Sequence, residues 1–309
     1  MLCLGTAREV RVTGSPEQDR PVDGPTAVRI LVGAQLRQLR EARGLTRAEA
    51  GDTIRASESK LSRMELGRVG FKQRDVKDLL TLYGVHDEAE REAVLARVRE
   101  ANAPSWWQPY SDVTPNWFQR YLGLEATASL IRTYEVAFVP GLLQTEDYAR
   151  AVMRLSHGSG LLDEVERRVR LRLERQQVLT RPDPPRLWAV VDEAALRRPV
   201  GGRRVMRDQL ETLISIVVKS PHVSLQVVPL AAGGYAAAGS PFTILRFPQD
   251  SLPDVVYIEQ LTGALYLDKR DDVEYYFDAV NRLFVEAAPV RDTVRILERI
   301  VHDLGRAPD

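Results

Sequence analysis

The chain has 309 residues, 44% hydrophobic and 28% charged, which suits a soluble protein of about two ordinary domains. It has no run of about 18 apolar residues and a single cysteine, Cys3, so a membrane span and an internal disulfide are excluded and a cytoplasmic location is expected. The zero net charge hides segregation: residues 29–86 carry twelve Lys or Arg against seven Asp or Glu, whereas 250–280 carry eight acids against two bases, so phosphate binding is open to the first part alone.

Residues 1–25 mix Pro, Gly and charges without a sustained period and read as a flexible leader without a signal-peptide core. Periodicity then predicts helices over 26–43, 46–53, 57–66, 72–83 and 87–101 with no strand signal, giving an all-α five-helix domain over 26–101. Residues 102–118 hold three prolines and Trp106, Trp107 and Trp117. Such a connector either packs along a domain junction or presents a partner surface. Beyond it, helices are expected at 116–133, 145–155, 161–179 and 203–219. Strands are expected from 186 and over 223–230, 242–247 and 255–261, with another in "ALYLDK". Closing helices at 271–287 and 289–304 make 119–309 an α+β domain, a small β-sheet flanked by helices.

The informative stretch is "LTRAEAGDTIRASESKLSRMELGR" (45–68). Thr46 followed by Glu49 forms a capping box, and Ser57 is a good N-cap for the next helix. Leu61 and Met64 are three residues apart and face the core together, which turns Ser59, Ser62 and Arg63 outward. A DNA major groove would accept that face. Arg63 is the expected base reader, because its planar fork matches guanine O6 and N7; Ser59 and Ser62 accompany it. Glu58 either accepts from cytosine or orients Arg63. Arg47, Lys60 and Arg68 flank the face as phosphate contacts, and the helix begun by Thr46 aims its positive end at a phosphate.

With its neighbours this stretch, "GAQLRQLREARGLTRAEAGDTIRASESKLSRMELGR", resembles the Cro/repressor type of helix-turn-helix, the XRE-like class. The resemblance makes 46–53 the support helix and 57–66 the recognition helix. It also implies a partly buried ion pair between Arg40 and Glu65 that fixes the recognition helix. The glycine common in the turn is replaced by Arg55, and Gly51 stands where alanine is usual; both departures allow a distorted or weakened motif, and neither removes the outward face. Double-stranded DNA with a pseudo-palindromic site and a homodimer are the implied partners, since one small module reads few base pairs. The dimer interface is expected in the C-terminal domain, including 271–304.

Further along, "YEVAFVPGLLQTEDYARAV", "RVRLRLERQQVL", "VDEAALRRPVGGRRVMRDQL", "LQVVPL", "FTILRF" and "VVYIEQLTGALYL" resemble the actinobacterial regulators with a Scr1-like C-terminal domain, the DUF5753 type. That resemblance implies transcriptional regulation modulated by a small-molecule effector or a small protein partner. The alternative it leaves is an antitoxin-like protein that neutralises a small partner and autoregulates its operon. Trp106, Trp107 and Tyr148 line an interdomain pocket or build aromatic core. The six arginines of 163–181 serve ion pairing in preference to a second nucleic-acid surface.

No enzyme is expected. The histidines at 86, 157, 222 and 302 are scattered without HExxH, and no metal site or cofactor is expected. "AAGGYAAAGSPF" lacks GxGxxG and GxxxxGK[ST], and there is no GxSxG. Asp192-Glu193 and Asp271-Asp272 are adjacent pairs, splayed by about 100° on a helix; Asp192 and Asp271 read as helix-start residues.

Overall fold

The computed structural model describes residues 24–157, 162–234, 241–248 and 252–306, so the leader with Cys3, residues 235–240 of the glycine-rich loop and Asp250 of the acidic stretch lie outside the described residues. Five helices come first: α1 (Pro25–Ala42), α2 (Arg47–Thr53), α3 (Glu58–Glu65), α4 (Gln73–Leu82) and α5 (Glu88–Ala101). Local chemistry sets their starts. Pro25 opens α1, Thr46 and Glu49 complete a capping box on α2, and Ser57 and Asp87 accept from the backbone N–H groups of Lys60 and Glu90. Val28, Val32 and Leu36 of α1 join Ala50, Ile54, Leu61, Met64, Leu79, Leu80 and Val98 in one core.

The turn between α2 and α3 is well formed despite its unusual residues. Arg55 takes the left-handed conformation at φ 52°, among the described residues the one non-glycine to do so. A Cβ at Gly51 would lie 2.6 Å from the Ala56 carbonyl oxygen, so the side-chain-free position has moved four residues upstream. The distortion that these two residues allow is therefore absent from the turn.

The second part adds α6 (Asn116–Thr127), β1 (Leu130–Glu135), α7 (Glu146–His157), α8 (Leu162–Gln176), β2 (Arg186–Asp192), α9 (Glu193–Arg197), α10 (Arg203–Lys219) and β3 (Val223–Val228). β4 (Phe242–Arg246), β5 (Val255–Gln260), β6 (Gly263–Leu267), α11 (Arg270–Glu286) and α12 (Val290–Arg306) complete it. The six strands lie in the order β3-β2-β1-β4-β5-β6. β1, β2 and β3 run parallel, with Leu130 opposite Arg186, whereas β4 pairs antiparallel with both β1 and β5, and β6 with β5. Ile131, Leu187, Leu225 and Leu245 face the core shared with α6, α7, α10 and α12; Tyr134, Val190, Ile244 and Val256 face α11.

One expected element is corrected. A single helix over 116–133 does not form: α6 stops at Thr127, and 130–135 becomes a central strand. Its Ile131, Thr133 and Tyr134 suit a pleated surface buried on both sides, and its partners are more than fifty residues away in sequence.

α1 serves two cores. Val28 and Val32 point into the first, while Ala27, Ile30 and Leu31 join the core of the second part. Thr26 packs so tightly on α6 that a Cβ at Gly123 would come within 2.0 Å of its hydroxyl oxygen. The connector is held at both ends. The Asn102 side chain exchanges hydrogen bonds with the backbone N–H and carbonyl of Phe71, and Arg167 of α8 donates to Asp112 and to the Pro109 carbonyl. Residues 102–118 therefore pack along the junction.

Candidate nucleic-acid interface

α3 has two unlike sides. Leu61 and Met64 are 1% exposed and anchor its back, whereas Glu58, Ser59 and Arg63 are exposed and Ser62 is half-buried. The Arg63 Nε donates to the Ser59 carbonyl oxygen at 3.4 Å, so backbone, not Glu58, steadies its guanidinium. Glu58 sits exposed in the first turn.

The far end of α3 is fixed by charge. Glu65 accepts from Arg40 Nε at 2.5 Å and Nη2 at 3.1 Å, and from Arg47 Nε at 3.1 Å. The side chains of Arg40 and Glu65 are 7% and 1% exposed. The bond to Glu65 raises the Arg40 pKa above the ordinary guanidinium value, against desolvation. Close backbone approach adds to this. A Cβ on Gly33 would meet the Met64 and Glu65 carbonyl oxygens at 2.5 and 2.7 Å.

The flanking residues sort unevenly. Arg68 is exposed and stays a phosphate candidate. Lys60 reaches Asp75 at 3.5 Å, placing the start of α4 beside the first turns of α3. Arg47 is turned toward Glu65, which makes it part of the scaffold. The Thr46 hydroxyl and backbone N–H both donate to the Glu49 carboxylate and the hydroxyl accepts from the Glu49 N–H, the capping box expected at the start of α2. Exposed Lys72 and Arg74 at the start of α4, and Arg55 in the turn, extend the basic rim. Sequence reasoning missed these three. Only the local charge excess hinted at them.

Of the two readings open to the aromatic residues, Trp107 and Tyr148 follow the core one, in separate clusters. Trp107 is buried against Leu122 and Leu171 and lines a cleft of about 250 Å³ with Asn102, Ser105 and Gln119. Trp106 stands half outside, edge-on to Trp107 at 5.6 Å. Tyr148 is fully buried in the main sheet core, where its hydroxyl accepts from the Val139 N–H. Tyr148 of α7 lies in the sheet core, while Trp107 packs on α6 and α8 through Leu122 and Leu171.

A second polar cluster lies at the carboxyl ends of β1 and β5. Glu125 accepts from Arg175 at 2.5 and 2.7 Å and from the Tyr121 hydroxyl at 2.7 Å, and the Tyr121 ring lies 4.2 Å from that of Tyr257. Arg172 donates to Gln144 at 2.8 Å, and Tyr257 donates to Glu259 at 2.9 Å. The arginines of α8 are thus mostly paired, as expected of them. Loss of water, reinforced by Glu259, pushes half-buried Glu135 up to about 7, against the pull of Arg172 and Arg175. Burial and the neighbouring Arg175 bring Arg172 down to about 10.

The raised Glu135 carboxyl has a consequence for stability. The folded chain keeps a proton that the unfolded chain releases near 4.5, so this contribution is complete below 4.5 and is lost as pH rises through about 7. Glu135→Gln should raise the melting temperature clearly at pH 8 and little at pH 5. An equal shift at both pH values would contradict the assignment.

A family model described as a helix-turn-helix domain matches residues 31–94, and one described as a domain of unknown function (DUF5753) matches residues 118–299, more than half of the chain. No curated protein and no solved structure matches it. Among the described residues no helix is long and apolar enough to cross a membrane. With the outward face of α3 set in a matched helix-turn-helix domain, the chain belongs to the DUF5753 family as an XRE-like, DNA-binding helix-turn-helix regulator.

Proposed function

We propose that the protein is a sequence-specific transcriptional regulator that binds pseudo-palindromic double-stranded DNA as a homodimer. A small-molecule effector or small protein partner of the C-terminal domain adjusts that binding. The observation that carries this reading is the two-sided α3, with Ser59 and Arg63 outward and Leu61 and Met64 behind them. Arg63 reads a base edge, Ser59 and Ser62 support it, and Arg68, Lys60, Lys72 and Arg74 hold phosphates. No enzymatic step belongs to the proposal, and the protein acts in the cytoplasm, on the nucleoid when DNA-bound.

α1 is the route by which a signal reaches the DNA. It packs on α6 through Thr26 and Gly123, and it holds the end of α3 through Arg40 and Gly33. α6 also carries Tyr121 and Glu125 of the polar cluster. An effector that shifts α6 therefore acts on the seat of the recognition helix.

The test is binding to a duplex selected from a random pool, comparing wild type with Arg63→Ala. The variant should lose about 1–3 kcal/mol of discrimination at one base pair per half-site. Wild-type affinity should fall steeply with salt as counterions are released. Unchanged base preference in the variant, or salt-insensitive binding by the wild type, would remove the proposed reader.

A further inference from the structure

α11 is the layer that covers the second face of the sheet, and among the described residues nothing covers its own outer side. Val273, Val280 and Leu283 point inward and are buried. On the outer side Tyr275 is 73% exposed and Val285 86% exposed. Asp278 and Arg282 lie between them on the same stripe, both exposed. Their spacing of four would allow an ion pair along the helix, yet they form none in the structure, and neither has another salt-bridge partner among the described residues.

The order of these residues is symmetric in chemical character. Tyr275 lies five residues before position 280 and Val285 five after it, while Asp278 lies two before and Arg282 two after. Two copies of α11 packed antiparallel about a two-fold axis at that position would set Tyr275 of each against Val285 of the other. The same operation sets Asp278 against Arg282, twice; it also brings Glu274 toward Glu286, twice, where Arg270 at 2.7 Å offsets the charge of Glu274. An isologous interface requires this kind of self-complementarity. Asp278, Asn281, Arg282, Val285 and Glu286 border a shallow, open depression on this side of α11 against which an incoming side chain could rest.

We infer that the outer face of α11 is the dimer interface, and that its occupant is α11 of a second copy of this chain, with Tyr275 seated beside Val285 and Asp278 paired with Arg282 across the axis. The inference rests on the homodimer in the proposed function and locates its surface. One helix pair buries a modest area, so dimers of moderate affinity that tighten on two adjoining half-sites are expected.

Charge reversal in the full-length protein tests it. Asp278→Arg and Arg282→Asp each replace two attractions by two repulsions and should weaken dimerisation in sedimentation velocity roughly tenfold or more. The double variant, Asp278→Arg with Arg282→Asp, restores opposite charges and should return within about threefold of wild type. Both residues are exposed, so unchanged melting curves are expected. Indifference of dimerisation to the single reversals, failure of the double variant to recover, or a wild type that is monomeric even on palindromic DNA would overturn the assignment. Binding to a duplex carrying one half-site reports on the DNA reading alone: its loss in wild type would sink that reading, while the sedimentation series still decides the face.

Discussion

Replacing Glu65 by alanine is expected to destabilise the helix-turn-helix domain by about 3–5 kcal/mol, the range seen when one member of a buried ion pair is removed. The carboxylate accepts from both Arg40 and Arg47, and its removal leaves the Arg40 guanidinium, 7% exposed, with only the longer contact to the exposed Glu41 carboxylate at 3.4 Å as counter-charge. The Leu45 carbonyl would still accept from Arg40 Nη1 but cannot neutralise it. Denaturant unfolding of wild type and variant measures this, and a loss under about 1 kcal/mol would show that water reaches Arg40 freely. Replacing both partners, Arg40→Met with Glu65→Leu, should recover much of the loss, because the pair specifies the seat of α3 more than it adds net stability. DNA affinity should fall with Glu65→Ala even where the domain stays folded, since the helix end that Glu65 ties down carries Arg63 two residues away.

Glu125→Ala is expected to have an effect of similar size, about 3–5 kcal/mol, in the other domain. Glu125 is 1% exposed and takes two hydrogen bonds from Arg175 and one from Tyr121. Because α6 packs directly on α1, the loss should also lower the stability of the helix-turn-helix domain. Hydrogen exchange in α1 and α3 of the variant would register that coupling. Faster exchange confined to α6 and α8 would mean that the two cores unfold independently, and α1 would lose its role as the connecting element.

The helix-turn-helix was legible in the sequence because its signals are local. Thr46 with Glu49, Ser57, and the Leu61–Met64 pair each act within one turn, and the structure places α2 and α3 within a residue of the expected bounds. Pairing between distant segments was less legible. "LIRTYE" follows a helix and is short, so its place at the centre of the sheet depends on β2 and β4, which nothing nearby announces. The same holds for side-chain company: Tyr148 and Trp107 share an aromatic character but sit in different cores. Arg55 is a third case. A left-handed residue is usually signalled by glycine or asparagine, and here the signal was displaced to Gly51, where the backbone of the turn passes close by. Arg47 shows the limit of counting surface groups, since a residue near the expected DNA face also gives its Nε–H to the buried Glu65 carboxylate.

The central claim is that α3 enters the major groove with Arg63 against a base edge. Methylation interference on a selected binding site tests it directly, because guanine N7 lies in the major groove and adenine N3 in the minor groove. Methylation of N7 at a guanine in each half-site should block the wild-type protein, and that block should vanish for Arg63→Ala at the same guanine. Insensitivity of the wild type to every N7 methyl group, with interference from N3 methyl groups instead, would contradict the insertion of α3.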